Sequence, residues 1–236
     1  MVPLTFEEIY AAHADEYDAL VAREDYEGHL LPALAGIAQL RGARVVELGA
    51  GTGRLTRLIA PLAKEIRAYD ASAHMLEIAR SRLVSTGLAN WELGAADNKR
   101  LPVEDAAADI AIAGWSLGHA VGWYPTSWHD EIGAALDEMA RVLRPGGTAI
   151  VLETMSTGSE IAAPPTERLA TYYRWLETER GFSGTAIRTD YRFESLDEAD
   201  RLIRFFFGDE LADRVRRHRW VVVPENTGIW ARRFWA

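Results

Sequence analysis

Apolar residues recur along the first half of the chain in two alternating rhythms. Short, nearly continuous apolar runs at 43–48, 66–69, 91–95, 109–113 and 148–152 read as strands buried on both faces. Between them, 54–62, 73–84 and 129–143 carry apolar residues three and four apart, the spacing of helices that lay one face on a sheet. Ser72 is a candidate N-cap for the second of these helices, and the RPGG run at 144–147 ends the third and turns into the fifth strand. This alternation predicts an α/β domain with a parallel sheet. From 153 to about 217 the pattern becomes helical without a strand, and Ser195 and Glu198 stand at capping-box spacing. That stretch predicts an insertion over one edge of the sheet. The closing RWVVVPENTGIWARRF, two short runs joined through PENTG, reads as an antiparallel hairpin. The expected organisation is one domain: a helical prefix at 1–40, a core at 41–154, a helical insertion at 155–217 and a hairpin at 218–236.

Composition narrows what such a domain does. With 48% hydrophobic and 26% charged residues the chain is ordinary globular material, and it has no run of 18 apolar residues, so no membrane insertion is expected. The start, MVPLTFEEIYAAHADEYD, lacks the basic residues and apolar run of a secretory signal, which predicts a cytoplasmic location. The absence of cysteine excludes disulfides, thiolate metal ligands and cysteine nucleophiles. A net charge of −9 disfavours a broad phosphate-binding surface, so nucleic acid is not an expected partner. The cluster Arg214, Arg216, Arg217 and Arg219 reads as cations at a helix C-terminus.

The candidate chemistry begins at VVELGAGTGRLT, residues 45–56. A glycine turn after a first strand brings helix N–H groups to the carboxyl edge of the sheet, where open α/β folds bind ligands. The dinucleotide fingerprint needs its third glycine where Arg54 stands, and Glu47 would repel a pyrophosphate. A carboxylate there suits a cation, and S-adenosylmethionine carries both an ammonium and a sulfonium. Asp70 ends the second strand about twenty residues further on, placed to accept ribose hydroxyls. Asp97, in GAADNKRLP after the third strand, is placed to accept the adenine amino group, with the backbone of Asn98 serving the ring.

The order VVELGAGTG, AYDAS with Met75, GAADNKRLP and LRPGGTAIVLE is similar to the class I S-adenosylmethionine-dependent methyltransferases over residues 40–154. The nearest likeness is to the branch acting on small molecules and quinone-like acceptors. The resemblance implies a Rossmann-like, seven-stranded mixed sheet with helices on both faces and one antiparallel strand, the hairpin at 219–234 supplying strands six and seven. It implies S-adenosylmethionine as cofactor and S-adenosylhomocysteine as product. Cofactor roles fall on Glu47, Gly49, Ala50, Gly51, Asp70, Ala71, Met75, Asp97, Asn98 and Gly114. Tyr10, His13 and Tyr17 resemble the segment that closes over the cofactor in this branch.

The segment after the fourth strand, AGWSLGHAVGWY, narrows the acceptor. It has neither the Asn-Pro-Pro-aromatic tetrapeptide used on exocyclic base amines nor the carboxylates of metal-dependent catechol enzymes, so no metal is expected. His119 is a candidate general base, with Trp115, Trp123 and Tyr124 as candidate walls for a flat or cationic acceptor. Glu225 and Asn226, in the PENTG turn, are expected at the active-site edge. These features predict a small-molecule methyltransferase acting on an O, N or C atom. Beside it stand action on RNA or protein, a nicotinamide reductase, and a noncatalytic relative that binds the cofactor.

Overall fold

The computed structural model describes residues 8–9 and 12–235, and nine strands lie among them. They are β1 (Arg44–Leu48), β2 (Glu65–Asp70), β3 (Trp91–Ala95), β4 (Ala108–Gly114), β5 (Leu143–Thr157), β6 (Ser183–Arg188), β7 (Tyr191–Arg192), β8 (Val222–Val223) and β9 (Glu225–Arg233). Seven of them form one sheet in the order β3-β2-β1-β4-β5-β9-β6, with β9 antiparallel to both its neighbours. The expected seven-stranded mixed sheet with one antiparallel strand is therefore present. Leu48 lies level with Tyr69 and Ala113, and Gly114 with Leu152, so the strand ends align at one edge. The chain reverses its lateral direction between β1 and β4, the crevice where this class of sheet holds ligands.

Side-chain alternation explains the layers. Val45, Ile110, Ile112, Ile150 and Leu152 point to one face, where they meet α2 (Leu30–Ile37) and α3 (Arg54–Ile59) through Leu34, Leu55 and Ile59. Val46, Leu48, Ala111, Ala113, Ala149 and Val151 point to the other, against Ile132, Leu136 and Met139 of α6 (Trp128–Val142) and Tyr172 and Leu176 of α7 (Glu167–Thr178). Each fully buried Leu or Ile contributes about 1.5–3 kcal/mol. Such burial, rather than intrinsic propensity, holds a helix as short as α3. Ser72 caps α4 (Ala73–Val84) by accepting from the Met75 amide at 3.3 Å, as its position predicts.

Two expectations about the second half are corrected. The 155–217 stretch is not strand-free: it supplies β6, an edge strand whose largely exposed residues carry no alternation, and β7. Nor do residues 218–236 form a hairpin. Val222 and Val223 pair with Arg192 and Tyr191 in a separate two-stranded sheet, and the chain then re-enters the main sheet as β9. That small sheet, α8 (Leu196–Phe207) and α9 (Asp209–His218) enclose their own core of Tyr191, Phe193, Leu202, Ile203 and Val215. Leu20 of α1 (Ala14–Val21) completes it. RPGG bulges inside β5, since Leu143 pairs with Ala108 and Thr148 with Ile110.

The prefix is fastened by charge. Buried Asp18 on α1 meets Arg57 of α3 at 3.4 Å and Arg82 of α4 at 2.7 Å, while Arg23 pairs with Glu198 of α8 at 2.7 Å. Among the described residues, no helix is long and apolar enough to cross a membrane.

Candidate active site

Two cavities open at the aligned strand ends. The smaller, about 290 Å³, is bordered by all ten residues expected to bind cofactor: Glu47, Gly49, Ala50, Gly51, Asp70, Ala71, Met75, Asp97, Asn98 and Gly114. The larger, about 930 Å³, lies between the sheet edge and the region formed by α1, α8 and α9. Five residues border both: Tyr17, Arg54, Trp115, His119 and Trp123.

The floor of the smaller cavity is built by the glycine turn. Gly49, Gly51 and Gly53 all have positive φ, at 67°, 54° and 78°, which side chains with a Cβ rarely adopt. Asp70 ties this turn to the next helix, accepting from Gly51 N and Ser72 N, both at 2.8 Å. Burial pushes the Asp70 carboxyl upward, and the two amides pull it back. Glu47 is buried, 2% exposed, and its Oε2 accepts from the Thr56 hydroxyl at 2.6 Å. Oε1 has no hydrogen-bond partner among the described residues. Burial raises this carboxyl to about 8, against the pull of Thr56 and with a further push from Asp70. Asp97 is exposed and accepts from Lys99 N at 2.9 Å. Both cations on the wall are already paired, Arg54 with Glu24 and Lys99 with Glu131, each at 2.7 Å. Among the described residues Glu47 and Asp70 are thus left without a side-chain counter-ion, which suits a cationic ligand.

The wall beyond β4 begins with a strained residue. Trp115 has φ +50°, donates its amide to Leu152 O at 2.7 Å, and lies under the Arg54 guanidinium at 4.1 Å. The chain then turns into α5 (His119–Trp123), where the His119 ring stacks on Trp123 with centroids 5.1 Å apart. His119 also bonds to the Trp115 backbone, and burial holds its imidazole down to about 4. It is neutral at ordinary pH. Trp123 and Tyr124, both partly exposed, border the smaller cavity.

Other candidates lie elsewhere. Tyr10 is outside the described residues. His13 packs edge-on against Phe205 at 5.9 Å and borders neither cavity. Glu225 lies level with Thr157, at the same sheet edge as Gly51, but it is 1% exposed and borders neither cavity. Asn226 is buried and donates to Ser156 Oγ and Ser159 O, both at 2.9 Å, which is a structural use. The PENTG residues reach the expected edge without reaching the cavities, because β9 carries them into the sheet. Sequence reasoning missed Ser116, Leu117, Ile132 and Ala135 on the smaller cavity, and Glu24, Glu153, Tyr191 and Phe207 on the larger. Ser116, Leu117 and Glu153 lie within segments the sequence singles out, but no spacing marks them or the others as cavity lining.

Residues 46–151 match the family described as the methyltransferase domain. A malonyl-[acyl-carrier protein] O-methyltransferase of Yersinia pestis is 31% identical over 150 residues, covering 64% of this chain and 50% of that protein. A ubiquinone/menaquinone biosynthesis C-methyltransferase UbiE of Hahella chejuensis is 32% identical over 169 residues, covering 64% and 62%. This chain therefore spans only part of the curated relatives it matches. The crystal structure of a SAM-dependent methyltransferase from Aquifex aeolicus shares the fold, with a TM-score of 0.56 at 14% identity, covering 93% of this chain and 96% of that one. Residues 46–151 thus form a methyltransferase domain, and the described residues have the fold of the class I S-adenosylmethionine-dependent methyltransferases.

Proposed function

We propose that the chain transfers the methyl group of S-adenosylmethionine to a small-molecule acceptor seated in the larger cavity. The observation that carries this reading is the shared wall: Tyr17, Arg54, Trp115, His119 and Trp123 border both cavities, so two ligands meet there. The cofactor fits the smaller one on its donor set. Glu47 Oε1 is free to take the ammonium, Asp70 stands beside the turn to take ribose hydroxyls, and Met75, Asp97 and Asn98 border the place for adenine. When bound, the cofactor supplies an electrophilic methyl on a sulfonium. The protein's share is alignment, which Trp115 and the His119–Trp123 stack provide by fixing the wall between the two ligands. The curated relatives are named for O-methylation of a malonyl group and C-methylation in quinone biosynthesis. A cytoplasmic location goes with the same reading.

Calorimetry is expected to show S-adenosylhomocysteine binding, and incubation with S-adenosylmethionine and a metabolite extract to release S-adenosylhomocysteine. Tight NADH binding with no binding of S-adenosylhomocysteine would sink the reading. Turnover is expected to be indifferent to a chelator, since the end of β4 presents Gly114, Trp115 and Ser116 rather than carboxylates. Loss of turnover with chelator, restored by magnesium, would contradict that.

A further inference from the structure

The larger cavity contains a buried carboxyl group that cofactor binding leaves unused. Glu153, on the part of β5 that runs past Gly114, is 5% exposed. Its Oε1 accepts from the Gly118 amide at 2.7 Å and from the Tyr172 hydroxyl at 3.5 Å. Oε2 has no hydrogen-bond partner among the described residues, and the side chain borders the larger cavity. This approach depends on a glycine. A Cβ at position 118 would stand 2.8 Å from Oε2 and 3.1 Å from Cδ, so only Gly118 lets the carboxyl come this close to α5. The next residue is His119, on the wall shared with the cofactor cavity. The titratable groups facing Glu153 are Tyr172 and Tyr173 of α7, and no described Lys or Arg is paired with it.

We propose that Glu153 is the acceptor-binding base, and that the acceptor enters as a hydroxyl or amine compound whose O–H or N–H is directed at Oε2. The inference rests on the methyltransferase reading of the site. In the transfer, a lone pair of the acceptor atom forms the new bond to the methyl carbon, and the carbon–sulfur pair stays with sulfur. The acceptor's proton passes to Oε2, its bonding pair remaining on the acceptor atom, and Glu153 then returns the proton to solvent. Burial raises the Glu153 carboxyl to about 8, so the carboxylate present above that pH takes up a proton far more readily than the His119 imidazole, held near 4. An acceptor arriving as a carboxylate would instead set a second negative charge against Glu153.

The test uses the full chain saturated with S-adenosylhomocysteine and two probes of the same shape, 2-naphthol and its methyl ether. At pH values above the Glu153 transition the wild type is expected to bind 2-naphthol about tenfold to hundredfold more tightly than the ether, the effect of one charge-assisted hydrogen bond. Glu153→Gln, which keeps an acceptor for the Gly118 amide, is expected to reduce that preference to about threefold or less. Gly118→Ala, which displaces the carboxyl without removing it, is expected to do the same. In both variants S-adenosylhomocysteine affinity should stay within about threefold of wild type. A preference that survives both substitutions overturns the proposal, as does failure of both probes to bind while S-adenosylhomocysteine binds normally. Failure of S-adenosylhomocysteine to bind the wild type overturns the parent reading instead.

Discussion

Gly49→Ala is expected to weaken S-adenosylhomocysteine binding by about a hundredfold or more. Gly49 has φ +67°, where an L-residue with a Cβ costs roughly 1–2 kcal/mol. Space is the larger obstacle. An added Cβ would overlap the Ser116 Cβ and stand 2.7 Å from its hydroxyl. Neither neighbour is free to yield: Ser116 Oγ reaches back to Leu48 O at 3.4 Å, and the turn on the other side is tied through Gly51 N to Asp70. Relief must come from moving the turn or the end of β4, and both border the cofactor cavity. A displacement of about 1 Å in such a site costs about a hundredfold. Gly87→Ala is the control. Gly87 also has positive φ, 71°, yet a Cβ there meets nothing within 4 Å, so stability should fall by about 1 kcal/mol with affinity unchanged. That loss corresponds to about 2–4 °C in a chain of this size. Calorimetry paired with thermal melting separates the two outcomes, and Gly49→Ala binding within threefold of wild type would show that the turn has room to spare.

The contrast between these glycines shows which parts of the site were legible in the sequence. The cofactor side is written locally: a strand end, a turn of three glycines and a carboxylate at the next strand end all lie within one βαβ unit. Glu47, Gly51 and Asp70 could be placed before the fold was known, because parallel strands buried on both faces announce themselves as apolar runs. The acceptor side is assembled from α1, the overrun of β5, the segment near 161–169, and α8 and α9. No spacing rule connects segments so far apart.

The C-terminal error has a similar physical basis. The polar letters of PENTG look like a turn, yet Glu225, Asn226 and Thr227 are all buried. Thr227 is met by the Thr189 hydroxyl at 2.7 Å and Asn226 by Ser156, while Glu225 Oε2 is buried with no hydrogen-bond partner among the described residues. Turn chemistry and buried polar strand look alike until those partners are known. β6 escaped for the opposite reason. It is an exposed edge, and nothing forces its side chains to alternate.

Lowering the pH from 8 to 6 is expected to weaken S-adenosylhomocysteine binding by about fiftyfold, through Glu47. In the free protein this carboxyl is buried and held up to about 8. The proposed complex needs it ionised, because Oε1 is the oxygen left to pair with the ligand's ammonium. Below about pH 8 the free protein therefore carries a proton that the complex must release, so affinity rises with pH, by up to tenfold per unit, and levels off above about 8. A change of about fiftyfold corresponds to about 2.3 kcal/mol. Asp70 is raised as well, but its two oxygens already accept from Gly51 N and Ser72 N, so it needs a separate control. Glu47→Gln provides one: its profile should be flat over this range, with affinity at pH 8 lowered at least about tenfold. Folding stability moves in the opposite sense. A carboxyl raised from its unfolded value of about 4.3 favours the folded state while protonated, and that contribution is lost as pH rises towards 8. The ligand-free wild type should therefore melt lower at pH 8 than at pH 5, and Glu47→Gln should show less of that slope. Calorimetry at pH 7 in two buffers of different ionisation enthalpy should register close to one proton released on binding. A wild-type affinity that stays level from pH 6 to 8, or a slope that persists in Glu47→Gln, would mean that Glu47 does not hold the ammonium.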